Sequence, residues 1–306
     1  MLDQVTFHQL ELFLLAAKLK NFSKSAERMN ISQPAFSAQI IKLEKIMGAP
    51  LFERIGRRVE LTAAGALFAQ YAQTVMASLR EGKQAIDDMS RQVKGILRIG
   101  ASTTIANYIL PDYLVRFRHK FNGCMIEMTV NNTEHIEQAI LDNEIDLGLV
   151  EGPLAHPAKM DSYLFKKDEL VVVFSSAHRF RGRTEISLDE FGSEPLILRE
   201  KGSGTRKVFM DSMGMDKEPP KATMELGNTE AIKRMLENNS GVAVISRAAV
   251  ERELKSKSLA MARIKGRQLP RLFNLILLKG KYMSNPVLEF IRILEPIQPP
   301  PMPKPQ

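Results

Sequence analysis

Apolar positions recur at three- and four-residue steps through the first 60 residues. In residues 6–19, Phe7, Leu10, Phe13, Leu14 and Ala17 form one stripe, which predicts an amphipathic helix. Asn21-Phe22-Ser23 interrupts the stripe, and Ser23 is expected to cap a second helix with Ala26 and Met29 facing inward. Asn30-Ile31-Ser32 predicts a turn. Ser32 then caps a third helix, with Pro34 in the first turn, where a missing N–H costs little. That helix runs through Ile40, Leu43 and Ile46 to Gly48, a C-cap glycine. Two short helices joined by a tight turn make a helix-turn-helix.

Residues 51–61, LFERIGRRVEL, set apolar ends around Arg54, Gly56, Arg57 and Arg58, the pattern of a small hairpin with a basic tip. Thr62 is expected to cap a long helix in which Ala64, Leu67, Phe68, Tyr71, Val75, Leu79, Ile86 and Met89 keep near-heptad spacing. A lone helix of roughly 28 residues with such a stripe needs a partner. A dimer seam is the expectation, and packing within its own domain the alternative. Gly95 is expected to end this helix.

From Ile96 the pattern alternates strand and helix. ILRIGAS, MIEMTVN, DLGLVEG, LVVVFSS, PLILRE, GVAVIS and LFNLILLK predict buried strands. Helices are expected at about 104–120, 133–143, 204–212 and 229–238, giving a largely parallel sheet or sheets. Asn132-Thr133-Glu134-His135-Ile136 recurs as Asn228-Thr229-Glu230-Ala231-Ile232, each opening a helix that leads into a strand. The echo predicts two related α/β lobes. The tail 296–306 carries six prolines and is expected to be disordered or polyproline-like. The expected domains are 1–60, a linker helix 61–94, 95–295 and the tail.

The chain has 306 residues and a net charge of +8 from 43 basic and 35 acidic side chains, which weakly favours a polyanionic partner. Its N-terminus is too interrupted by polar residues for a signal peptide, and no window approaches a membrane span of about 20 apolar residues. Cys124 is the single cysteine, so no internal disulfide framework or multi-cysteine zinc site is expected. A reducing, cytoplasmic setting without membrane contact follows as an expectation.

The second helix of a helix-turn-helix enters the major groove of double-stranded DNA. Here its first turns offer Gln33, Ser37 and Gln39 as hydrogen-bonding side chains, after Ser32 and Pro34, with Ala35 small enough to lie near a thymine methyl. Lys42 can reach phosphate, Ser23 and Ser32 suit phosphate oxygens or serve only as caps, and Arg54, Arg57 and Arg58 suit backbone or minor-groove contact. Phe36 and Ile40 are expected in the core.

Residues 7–65 resemble the N-terminal domain of LysR-type transcriptional regulators. The resemblance rests on Leu10-Glu11-Leu12-Phe13, Phe22-Ser23 with Ala26-Glu27, Ile31-Ser32-Gln33-Pro34-Ala35 with Ser37, Ile41-Lys42-Leu43-Glu44, Gly48, and Leu51-Phe52-Glu53-Arg54 through Leu61-Thr62-Ala63-Ala64-Gly65. It extends over nearly the whole chain except the proline tail. It implies an all-α N-terminal part carrying a winged helix-turn-helix, a dimerising linker helix, and an α/β part of two Rossmann-like lobes of the type II periplasmic-binding-protein kind. It also implies a homotetramer, inducer-dependent activation and contact with RNA polymerase. Ala38 departs from the longer polar residue of many members, which bears on the sequence of the DNA site.

Two helix starts, Gly100-Ala101-Ser102-Thr103-Thr104 and Lys201-Gly202-Ser203-Gly204-Thr205-Arg206, combine hydroxyls, small residues and N–H groups at strand ends. That is where an anion binds in a two-lobed α/β protein. Capping alone is the alternative for each. Ser102, Thr103, Ser203 and Thr205 are the first candidates for ligand contact, with Thr104, Asn132 and Asn228 second. Arg206 supplies charge or a surface ion pair, and Glu151-Gly152 ends another strand beside the cleft. ASTTIANYILP, REKGSGTR and GNTEAIKRMLENNSGVAVIS resemble the branch of the family that senses small anions or metabolites of sulfur or carbon assimilation. A larger organic effector is the alternative. An enzyme is disfavoured: the five histidines form no HExxH, Cys124 follows a probable Asn-Gly turn, and Gly202-Ser203-Gly204 lacks the Gly-Lys-Ser/Thr ending of a phosphate loop. No catalytic residue, metal or cofactor is expected. A transport-type solute-binding protein is disfavoured by the DNA-reading N-terminus.

Overall fold

Thr6 opens the first helix, α1 (Phe7–Leu19), with a reciprocal cap: its hydroxyl accepts from Gln9 N and its own N–H donates to Gln9 Oε1. This computed structural model describes residues 4–55, 58–89, 92–214 and 222–294. Backbone contacts divide the chain into two units, Met1–Ile86 and Asp87–Gln306.

In the first unit α1 is followed by α2 (Phe22–Arg28), α3 (Gln33–Met47), the hairpin β1 (Phe52–Ile55) and β2 (Arg58–Leu61), and the 26-residue α4 (Ala63–Asp88). Three sequence expectations change in detail. Asn21, not Ser23, caps α2, because its extended backbone lets its side chain accept from Lys24 N, and Ser23 lies exposed inside the helix. On α1 the buried residues are Leu10, Leu12, Phe13 and Ala16, while Phe7 is exposed. The long helix ends at Asp88, and Gly95, at φ 98°, begins the next strand. The other caps stand: Ser32 Oγ accepts from Ala35 N, Gly48 takes the left-handed turn at φ 71°, and Thr62 Oγ1 accepts from Gly65 N. Gly65 lies so close to the Leu51 carbonyl that any Cβ would overlap it, so the start of α4 can seat on the hairpin only without a side chain there.

Phe13, Phe36, Ile40, Leu43 and Leu51 form this unit's core, joined by Ala72 and Met76 from α4. The apolar stripe of α4 divides accordingly. Ala64 and Phe68 pack on the core, while Leu67, Tyr71, Val75, Leu79, Ile86 and Met89 are exposed, from 46% at Val75 to 82% at Met89. Arg57 and the 296–306 tail lie outside the described residues, as does the side chain of Arg58.

The second unit is an α/β structure: β3 (Gly95–Ser102), α5 (Thr103–Tyr108), α6 (Leu110–Lys120), β4 (Cys124–Asn131), α7 (Thr133–Leu141), β5 (Leu147–Glu151), β6 (Met160–Ser175), β7 (Glu185–Ile186), α8 (Leu188–Gly192), β8 (Leu196–Arg199), α9 (Gly204–Met213), β9 (Ala222–Leu226), α10 (Thr229–Glu237), β10 (Val242–Ser246), α11 (Glu251–Ser256), β11 (Leu259–Ile264), β12 (Pro270–Leu278) and α12 (Asn285–Ile293). The helix expected at 104–120 is two helices. Pro111 has no N–H and its ring would meet the Asn107 carbonyl, so it takes the first turn of a new helix instead.

The strand order is β4-β3-β5-β12-β6-β10-β8-β9. Read from either end it is the same: three parallel strands, then one antiparallel strand. The sheet is therefore mixed rather than largely parallel, because β6 and β12, expected to be parallel, run antiparallel to their neighbours and to each other. These two strands join the halves, and each half has a core on both faces of its strands.

Candidate functional site

The candidate DNA-reading surface of the first unit is built on α3. Phe36, Ile40 and Leu43 fix one face in the core, which turns Gln33, Pro34, Ala35, Ala38 and Lys42 to solvent. Ser32 is exposed at the cap, and Gln33 Nε2 reaches Ser37 Oγ at 3.4 Å. Gln39 is half-buried and accepts from Gln9 Nε2 at 3.2 Å, so α1 holds it in place. Arg54 on the hairpin is exposed.

In the second unit the two predicted helix starts face each other. Ser102 ends β3 at the N-cap position of α5, yet makes no side-chain cap. Its buried hydroxyl donates instead to Glu151 Oε2, at the end of β5. Thr205, in the first turn of α9, donates to Glu151 Oε1 at 3.5 Å and lies 2.6 Å from Arg271 Nη1, from which it accepts. Arg271 Nη1 also donates to Glu151 Oε1 at 3.4 Å. Arg271 is 1% exposed and Glu151 2%. On its other side Arg271 binds Asp168 Oδ2 through Nε at 3.0 Å and Nη2 at 2.7 Å, and Asp168 also accepts from Ser246 Oγ at 2.8 Å. Asp168 and Arg271 are register partners on β6 and β12, the strands that join the lobes. Thr133 Oγ1 donates to the Glu151 carbonyl at 3.0 Å.

Ser203 occupies the N-cap of α9 without capping it, and its buried Oγ has no hydrogen-bond partner among the described residues. It lines a cavity of about 420 Å³ with Thr133, Glu134, Lys201, Arg206 and Lys207. Gly204 packs directly on the Glu151 backbone, where a Cβ would overlap the Glu151 carbonyl and the Thr133 hydroxyl. Capping thus fails as an account of Ser102 and Ser203.

The remaining candidates divide. Thr104 is buried beside Ser102, and Thr103 is half-buried. Asn132 caps α7 through His135 N and crosses to the other lobe, donating to the Lys201 carbonyl at 3.4 Å. Asn228 caps α10 and is exposed, away from the Glu151 cluster, so the structure accounts for it as a cap. Arg206 is committed to Glu225 at 2.7 Å and to the Arg199 carbonyl. Arg271 and Asp168 were not found from the sequence. The available signal was a charged residue set between the apolar Leu269 and Leu272. Cys124 follows the Asn122-Gly123 turn and begins β4, and burial pushes its thiol pKa up, which disfavours the reactive thiolate.

A second contact joins the lobes. Tyr108, at the end of α5, donates to Glu230 at the start of α10, and Lys233 Nζ lies 4.9 Å over its ring. Burial and the Glu230 carboxylate push the Tyr108 phenol pKa far above its ordinary value. Among the described residues no cluster of His, Cys, Asp or Glu could hold a metal, and no helix is long and apolar enough to cross a membrane.

A helix-turn-helix with a basic hairpin, joined through a long helix to a two-lobed α/β unit, defines a DNA-binding regulator. Residues 7–66 match the family model of the bacterial regulatory helix-turn-helix protein of the lysR family, and residues 90–296 match the LysR substrate binding domain. The chain belongs to the LysR family of transcriptional regulators, a family of regulators rather than enzymes. It is 33% identical to the HTH-type transcriptional regulator YeiE of Escherichia coli K12 over 293 residues, 95% of this chain and 98% of that one. It is 30% identical to the HTH-type transcriptional activator CmpR of Synechocystis PCC 6803 over 96% of each chain. The regulatory domain of Synechocystis CcmR in complex with 2-PG superimposes with a TM-score of 0.59 at 29% identity, covering 66% of this chain and 96% of that one.

Proposed function

We propose that this regulator is switched by a small polar effector with an oxyanion group, bound between the two lobes by Ser102, Ser203 and Thr205. Thr103, Thr104 and Asn132 stand beside them. The observation that carries the reading is the cluster itself: a nearly water-free set of hydroxyls at two facing helix starts, one of them unpaired, against a fully buried arginine. Buried hydroxyls without partners are costly, and a ligand that accepts from them recovers that cost. The 2-PG bound by the CcmR domain and the 30% identity to a RuBisCO operon transcriptional regulator of Allochromatium vinosum support an effector of carbon metabolism, with sulfur metabolism the second choice.

At the DNA end, Gln33, Ser37 and Gln39 read base edges, with Ala35 beside a thymine methyl. Ser23, Ser32, Lys42 and the hairpin arginines hold phosphate. The exposed stripe of α4 pairs two copies of the chain. Effector binding shifts an equilibrium between assembly shapes by its differential affinity for them, which changes the contact with DNA and RNA polymerase.

The test is a thermal-shift screen of the purified chain against small oxyanions and phosphorylated or sulfur-containing metabolites. An effector at about 100 times its dissociation constant adds roughly 2.7 kcal/mol. The expected result is a selective rise in Tm that Ser102→Ala and Thr205→Ala each abolish. A rise that survives both changes would place the effector elsewhere.

A further inference from the structure

Around Arg271 two carboxylates, Glu151 and Asp168, face one guanidinium. Arg271 is already matched by Asp168, which takes two of its N–H groups at 3.0 and 2.7 Å. Glu151 is therefore the surplus carboxylate, 2% exposed and directed at the same hydroxyls that face the ligand. A structural glutamate kept only to neutralise the arginine would be redundant here. An oxyanion without a proton would have to settle beside this carboxylate, two like charges in a dry site.

We propose that the effector is a protonated oxyanion, an acid that still holds a proton near neutral pH, and that it donates that proton's hydrogen bond to Glu151. This rests on the cleft being the effector site. Such a ligand closes the hydrogen-bond inventory. Ser102 and Thr205 each have one hydroxyl hydrogen, and both now point to Glu151. When they turn toward the oxygens of an entering anion, Glu151 loses two donors. A ligand O–H restores one of them as a charge-assisted bond, the stronger kind. The Ser203 hydroxyl and the first N–H groups of α9 supply further donors to the anion's other oxygens. A fully deprotonated anion offers Glu151 nothing, so the carboxylate rejects it as well as selecting its protonated counterpart.

Inorganic phosphate and sulfate are the probes, since they share a tetrahedral shape and differ in the proton carried near pH 7. Titration calorimetry on the full chain is expected to show phosphate binding at least tenfold tighter than sulfate. Glu151→Gln removes the charge and keeps the shape. It should erase that preference, weakening phosphate and strengthening sulfate. Glu151→Asp keeps a carboxylate and should retain the order. Sulfate binding as tightly as phosphate in the unaltered chain overturns the proposal, whether or not the variants fold. So does an unchanged ratio in a folded Glu151→Gln protein. If neither anion binds either chain, the small-oxyanion reading of the cleft fails and the proposal falls with it.

Discussion

Replacing Arg271 by Met tests whether the buried charge cluster holds the two lobes together. Methionine matches the length of the stem and removes the guanidinium. Four hydrogen bonds vanish: two to Asp168, one to Thr205 and one to Glu151. The packing of the guanidinium 4.8 Å from the Phe273 ring is lost with them. Asp168 keeps only Ser246 Oγ in this cluster, and Glu151 keeps Ser102 and Thr205. Removing one partner from a buried ion pair costs about 3–5 kcal/mol, because the carboxylates stay buried without their cation. For a unit of this size each kcal/mol is about 2–4 °C, so calorimetry should show the Tm of the second unit's transition falling by roughly 6–20 °C. Asp168→Asn added to Arg271→Met removes one orphaned charge and should recover at least half of the fall, since deleting both partners costs far less than deleting one. Arg271→Lys should not rescue, because a single ammonium cannot reach Asp168, Thr205 and Glu151 in the fork geometry of the guanidinium. A drop of less than about 3 °C for Arg271→Met, about 1 kcal/mol, would refute the reasoning. A double variant less stable than the single one would do the same.

On α4, Leu79 is exposed and lies on the stripe proposed to pair two chains. Leu79→Glu, counted twice by two-fold symmetry, removes about 3–6 kcal/mol, so light scattering at low micromolar concentration should find a smaller species. An unchanged mass would separate the stripe from assembly. At the DNA end, Gln33→Ala should cost roughly 1–3 kcal/mol on the cognate site and little on random DNA, while equal losses on both would make Gln33 a phosphate contact. Arg183 and the Ser187 backbone and hydroxyl hold the pKa of Glu190, on α8, down at about 2. Because the folded value is depressed, its contribution is present above the unfolded value near about 4.3 and is lost as pH falls from there toward about 2. The Tm gap between the unaltered chain and Glu190→Gln should hold from neutral pH down to that range and then narrow, and a gap that widened with acid would contradict the assignment.

The first unit was largely legible because its information is local. Ser32, Gly48 and Thr62 punctuate helices with side chains that bond within three or four residues. Ser23 failed as a cap because Asn21, two residues earlier, offers the same chemistry at the point where the backbone is extended. In the second unit the apolar strands declared themselves. The first half of β6, MDSYLFKKDE, did not, because it alternates with charge and is defined by its partner β12. β9, β11 and α12 escaped for similar reasons: each is short, and its packing partners lie far away in sequence. The same distance hid half of the site. Ser102, Ser203 and Thr205 carry a local signature at helix starts. Arg271 meets Asp168 across 103 residues and Glu151 across 120, and no neighbour in the sequence shows that a strand arginine is buried.

The Asn-Thr-Glu echo and the palindromic strand order describe one event seen twice. Asn132-Thr133 starts α7 against the loop that opens α9, and Asn228-Thr229 starts α10 near the end of α5. The two quasi-equivalent junctions have diverged in charge. At the first, Thr133 donates to the Glu151 carbonyl, and the cavity beyond holds the unpaired Ser203 hydroxyl among Glu134, Lys201, Arg206 and Lys207. At the second, Thr229 accepts from Arg199, Tyr108 donates to Glu230, and Lys233 bridges Glu230 and Glu253, leaving only a carboxylate oxygen, Glu253 Oε2, without a donor. An unpaired hydroxyl can donate to an anion, whereas an unpaired carboxylate oxygen repels one. The effector is therefore expected at the first junction alone, while the second closes the lobes without one. Arg271 and Asp168, paired on the two strands that cross between the lobes, connect the first junction to those strands. Any ligand that draws Thr205 or Arg271 away from Glu151 changes the contacts of the two strands that join the lobes, which is the differential interaction the proposed switch requires.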